Sequence, residues 1–155
     1  MKNLIIGIGI VLLVVLGIVI FEAIQPTSIW EENADKFQEA TKMQANGGIV
    51  SLDEITPFEW DTVYTFAPYT PKEKIYEVIG YQWDSISETV SEGMNQLIFI
   101  DKVKVVCYVY GYSDYLGYGF NFGAFEGDHL QLDSRSKPVF IVKSANNIVY
   151  FIYGK

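Results

Sequence analysis

Eighteen consecutive residues near the N-terminus, Leu4 to Phe21 (LIIGIGIVLLVVLGIVIF), carry no charged or polar side chain. As a helix rising about 1.5 Å per residue, such a run measures about 27 Å, close to the hydrocarbon thickness of a bilayer. A cleaved signal peptide has a shorter apolar region, of about 7–15 residues, and ends on a small-x-small cleavage site. Here Glu22-Ala23-Ile24-Gln25 follows, and cleavage after Ala23 would place Phe21 where a small residue is required. The run therefore reads as a retained transmembrane anchor. Lys2 precedes it and Glu22, Glu31 and Glu32 follow, which predicts a single-pass protein with its C-terminal domain outside the cell membrane.

The remaining chain carries the whole formal charge of −8. That balance excludes a nucleic-acid partner, because phosphate contact needs a concentrated cationic surface. A lone cysteine, Cys107, can form neither an internal disulfide nor a cysteine-based metal site. No pattern in the chain calls for a cofactor.

The spacing divides the chain into an anchor (1–24), a juxtamembrane helix and linker (25–48) and an extracytoplasmic domain (49–155). Ser28 and Glu31 form an S-x-x-E capping box that starts a helix, which Asn46-Gly47-Gly48 ends. Trp30, Ala34, Phe37 and Thr41 make a narrow stripe along it, so this helix is expected to pack loosely and to be mobile. Strands are expected at 49–55 and 60–67. A second helix is expected after Thr70 as cap, with Pro71 at its first position, Glu73 closing a second box and Gly80 as terminator. Hairpins are read at 96–110 across Asp101-Lys102 and at 138–153 across 144–147. Residues 82–95 and 111–119 read as loops, and 127–137 as a polar connection. The whole predicts an α+β protein: a transmembrane helix, then a small antiparallel sheet with one or two packed helices.

Catalytic signatures are sparse. Alternation along 103–109 puts Val103, Val105, Cys107 and Val109 on one inward face, making Cys107 a core residue. His129 is the chain's one histidine, and no G-x-S-x-G elbow accompanies it. Glu126, Asp128, His129 and Asp133 lack the regular carboxylate spacing of a calcium loop. The carboxylates of Asp53/Glu54 and Glu59/Asp61 flank Phe58 and Trp60, which leaves a small hydrolase acting on glycan or peptide as the alternative reading.

Aromatic density is the better pointer. Eight aromatics lie between Tyr108 and Phe125, interleaved with Gly111, Gly117, Gly119 and Gly123. Tyrosine supplies large contact area at low entropic cost and carries a polar tip. Tyr112, Asp114, Tyr115 and Tyr118 are therefore expected to be exposed and to bind a partner. Phe120 and Phe122 are expected in the core.

One stretch carries a resemblance. Phe58, Trp60, Asp61, Tyr64, Phe66, Pro68, Tyr69 and Thr70 form an F-x-W-D-x-x-Y-x-F-x-P-Y-T block ahead of a short helix. It resembles the signature of an uncharacterised family of small membrane-anchored or secreted surface proteins of Gram-positive bacteria. The resemblance spans 26 of 155 residues, from Ile55 to Gly80. It implies a place in the cell envelope and a shared fold, and it carries over no catalytic residue. The resulting expectation is a membrane-anchored binding module with an envelope protein as partner, an inhibitor or immunity-type factor being one form.

Overall fold

The structure, a computed structural model, describes residues 14–15 and 27–154. The apolar run 4–21 lies almost wholly outside the described residues. Among the described residues, no helix is long and apolar enough to cross a membrane.

The fold is α+β. Helix α1 (Ile29–Lys42) is followed by β1 (Gly48–Ser51), a single 3-10 turn (Leu52–Ile55) and β2 (Thr62–Phe66). Next come α2 (Lys72–Ile79) and the long pair β3 (Met94–Asp101) and β4 (Lys104–Tyr112). A four-residue helix, α3 (Ser113–Leu116), leads into β5 (Tyr118–Asn121). The chain closes with β6 (His129–Asp133), β7 (Val139–Ala145) and β8 (Ile148–Tyr153).

The strands form two sheets, β1-β7-β8-β5 and β4-β3-β2-β6. Every pairing is antiparallel except β5 with β8. The main core lies between the sheets and combines Val63, Phe99, Cys107 and Val109 of one with Phe140, Val149 and Phe151 of the other. A second core lies on the far face of β3, where Ile75 and Ile79 of α2 cover Phe66, Ile98, Ile100 and Tyr108. Burial on both faces explains why β3 reads as an unbroken apolar run instead of an alternating one.

Helix α1 corrects the expectation of loose packing. Ser28 donates its backbone N–H to the Glu31 carboxylate (3.1 Å), as the capping box anticipates, and its hydroxyl donates to the same carboxylate (2.6 Å). Farther along, however, Phe37 and Thr41 are fully buried. The helix packs across the edge of β4, the terminal strand of its sheet, and the stripe is narrow because it fits a sheet edge. Trp30 reaches one core, meeting Trp83 edge-on with ring centroids 5.3 Å apart. Phe37 reaches the other, meeting Phe99 at 5.2 Å.

A bulge in β4 fastens the two together. Phe99 pairs with Cys107 but Ile100 pairs with Val105, so Val106 is an extra residue. Its carbonyl accepts a 2.9 Å hydrogen bond from the buried Asn33 side chain. The bulge also breaks the expected alternation. Cys107 and Val109 face the main core, Val105 faces the second, and Val103 stands in the turn, 75% exposed.

Other differences are local. Pro71, not Thr70, occupies the cap of α2; the Thr70 hydroxyl donates to the Ala67 carbonyl (2.7 Å). The first-turn N–H of Lys72 instead donates to the Glu88 carboxylate, 16 residues downstream. Strand β6 falls inside the stretch read as polar connection. The 138–153 hairpin is as expected, with Asn146 and Asn147 at φ 52° and 63°.

Candidate functional site

The tyrosine–glycine segment is split between two environments. Strand β4 ends at Tyr112, α3 turns the chain over, and Gly117 at φ 80° delivers it into β5. Tyr115 on α3 is 86% exposed and Tyr112 is 38% exposed, with ring centroids 6.4 Å apart. Asp114 lies between them in sequence and is exposed. Those three form a surface patch.

Tyr118 does not join it, correcting the expectation of exposure. It is 1% exposed, in the main core, with its ring 5.9 Å from Phe37. The reason is the β5–β8 pairing: Tyr118 lies opposite Val149 and Phe120 opposite Phe151, all facing inward. Burial pushes the Tyr118 phenol and the neighbouring Cys107 thiol well above their ordinary pKa values. Cys107 is thus a poor nucleophile.

Two residues that the sequence did not single out hold the patch in place. Asn95 donates to the Gly111 carbonyl (3.2 Å) and the Ser113 hydroxyl (3.1 Å), and accepts from the Phe120 N–H (2.8 Å). Gln38 of α1 donates to the Leu116 carbonyl (2.8 Å). The backbone on both sides of Tyr115 is therefore tied to a sheet and a helix. Gly119 completes the arrangement, since a Cβ there would fall 2.2 Å from the Ser113 hydroxyl. Asn95 sits at the end of a polar stretch, so no local signal marks its long-range role.

The carboxylates considered for catalysis lie elsewhere. Asp53, Glu59, Asp61 and Asp101 line an open recess of about 500 Å³ together with Arg135. The Asp61 carboxylate accepts the Lys102 backbone N–H (2.7 Å), and so holds the β3–β4 turn. His129 is remote from them. Strand β6 pairs Asp133 with Thr62 and His129 with Phe66, placing His129 five residues along from Asp61, about 17 Å at 3.3 Å per residue. His129 stacks beside Phe66 (5.6 Å) and bonds the Asp128 carboxylate (2.8 Å), which lowers the pKa of that acid. Asp133 is paired with Arg135 at the opposite end of β6, and its pKa falls to about 2.

Most of the aromatic block at 58–70 packs within the fold, whereas Tyr69 is 64% exposed. Trp60 and Phe58 both pack edge-on against Phe99, at 5.6 and 5.5 Å. Tyr64 stacks on Phe66. Asp61 holds the distant β3–β4 turn, and Thr70 closes its own turn on Ala67.

A separate recess of about 350 Å³ opens where β5 meets β3, lined by Asn95, Phe120, Phe122, Phe125 and Tyr150. Both ends of the Asn95 amide are occupied by the bonds described above. Comparison with known proteins adds no relative: no family model, curated protein or solved structure matches the chain.

Proposed function

We propose that this is a single-pass membrane protein whose folded domain faces outward and binds an envelope protein through Tyr112, Asp114 and Tyr115. The observation that carries the reading is the position of the patch. Helix α1 begins at Ile29, just after the apolar run, with its N-terminal half on Val106 and its C-terminal half on Leu116. The patch thus lies at the far end of a helix about 20 Å long from the point where the chain reaches the anchor. Exposed tyrosines held rigidly away from the end of α1 that follows the apolar run support the reading of an outward-facing contact surface. Their supports, Asn95 and Gln38, spare a partner the cost of ordering them. The 58–70 block resembling Gram-positive surface proteins agrees with an envelope location.

The test uses the full chain in cells, with a photo-crosslinking residue in place of Tyr115. A discrete adduct with an envelope protein is expected, weakened about tenfold or more by Tyr112→Ser, as for a tyrosine at an interface hot spot. If position 115 yields nothing beyond an exposed control such as Glu73, the reading fails.

The recess containing Glu59 and Asp61 supports the second reading, a small hydrolase of envelope glycan or peptide. That reading requires Glu59→Gln to abolish hydrolysis of cell-wall material by the purified full chain.

A further inference from the structure

The recess where β5 meets β3 has a cause in the strand ladders. Pairing of β2 with β3 stops at Tyr64 and Ile98, whereas β2 continues beside β6 to Phe66 and β3 beside β4 to Met94. Continued pairing would set Thr65 against Leu97 and Phe66 against Gln96. All four line the recess instead, so the two strands part there. None of the residues lining it is charged, on a chain of net charge −8.

Several groups in this wall have bonding capacity that the fold does not use. Thr65 lies two positions beyond Val63 on β2, so its side chain points between the sheets. It is 7% exposed, and among the described residues its hydroxyl has no hydrogen-bond partner. The Ser113 hydroxyl accepts from Asn95, and the Asn121 carbonyl accepts from the Gly123 N–H (2.9 Å). Each is thereby oriented and keeps donor hydrogens free. Among the described residues, the partly buried Phe125 belongs to neither core and stacks on no other ring.

We propose that this recess binds one neutral sugar ring. A charged ligand finds no counter-charge in the wall, and a purely apolar one leaves the Thr65, Ser113 and Asn121 groups without partners. A pyranose meets both conditions. Its hydroxyls donate and accept, as the hydroxyls and amide of the wall do, and its C–H face rests on the Phe125 ring. At about 350 Å³ the recess lies at the small end of ligand pockets, about 300–1,000 Å³, and so holds a single ring. The ring is a free monosaccharide or the terminal unit of a glycan, which present the same chemistry. This site requires neither the anchor nor the tyrosine patch.

The test is saturation-transfer NMR on the purified full chain, in a detergent that itself carries no sugar. Glucose, galactose, N-acetylglucosamine and N-acetylgalactosamine are the neutral probes, with glucuronic acid and glucosamine as charged counterparts. Transfer to at least one neutral sugar and to neither charged one is expected. Thr65→Val keeps the side-chain shape, removes the hydroxyl and is expected to weaken binding about tenfold. Phe125→Ser, outside both cores, is expected to weaken it at least as much with the circular dichroism unchanged. A second arm offers purified cell-wall polysaccharide: retention displaced by the bound monosaccharide identifies a terminal glycan unit, and monosaccharide binding without retention identifies the free sugar. Equal binding by the native chain and both variants overturns the site. Transfer to no neutral sugar, or equal transfer to the charged ones, overturns the ligand class.

Discussion

Tyr115 and Tyr118 lie three positions apart in one tyrosine–glycine stretch, yet one is 86% exposed and the other 1%. Local composition is nearly the same around each. What separates them is pairing. Tyr118 belongs to a strand whose partner, β8, turns it toward Phe37 and Phe151, whereas Tyr115 sits on a four-residue helix that joins no strand ladder. An aromatic cluster in sequence is therefore not one surface. Here it supplies both an interior and a rigid exterior, joined by Gly117.

The interior side of that contrast is the one most easily broken. Phe37→Ala removes a fully buried ring that touches Phe58, Phe99, Tyr118 and Phe120. Urea denaturation is expected to show a loss of about 3–5 kcal/mol. A loss near zero would restore the loosely packed helix.

A smaller effect separates the tyrosines by pH. The fold holds Tyr118 and Cys107 in their neutral forms, with pKa values raised by burial. The unfolded chain releases those protons at ordinary values, about 9 for the thiol and 10 for the phenol. Above those values the unfolded state binds fewer protons than the folded one, so stability falls as pH rises. The loss begins near pH 9, and Tyr118→Phe removes its phenol component. If Tyr115→Phe protects equally in alkaline denaturation, the two environments are not distinct.

The smallest effect sharpens the exterior side. Tyr115→Ser is expected to change stability by no more than about 0.5 kcal/mol, since the ring makes no core contact. A thermal shift well beyond that would make Tyr115 part of the fold.

Much of the fold was legible where a local rule suffices. The Ser28–Glu31 box, the Gly80 terminator and the Asn146-Asn147 hairpin each depend on a few neighbouring residues. Cys107 was legible as core from strand alternation, although the bulge at Val106 removed Val105 from its face. Strand β6 was missed because its residues, HLQLD, form an edge with only Leu132 fully buried. Of the site, the exposure of Tyr112 and Tyr115 was legible as an unpatterned turn, and Tyr118 was not. Nor were Asn95 and Gln38, whose partners lie 16 to 25 and 78 residues away.

By itself the sequence determined the α+β class, the acidic character of the domain, and the places of its two longer helices and two hairpins. These depend on periodicity, composition and capping, which act over a few residues. Tertiary structure alone decided that α1 seals the edge of β4, that Tyr118 is interior, and that Tyr115 on the short α3 is left outside. Strand pairing and helix docking bring together residues far apart along the chain, and only that packing selects which aromatic is covered and which is left to solvent.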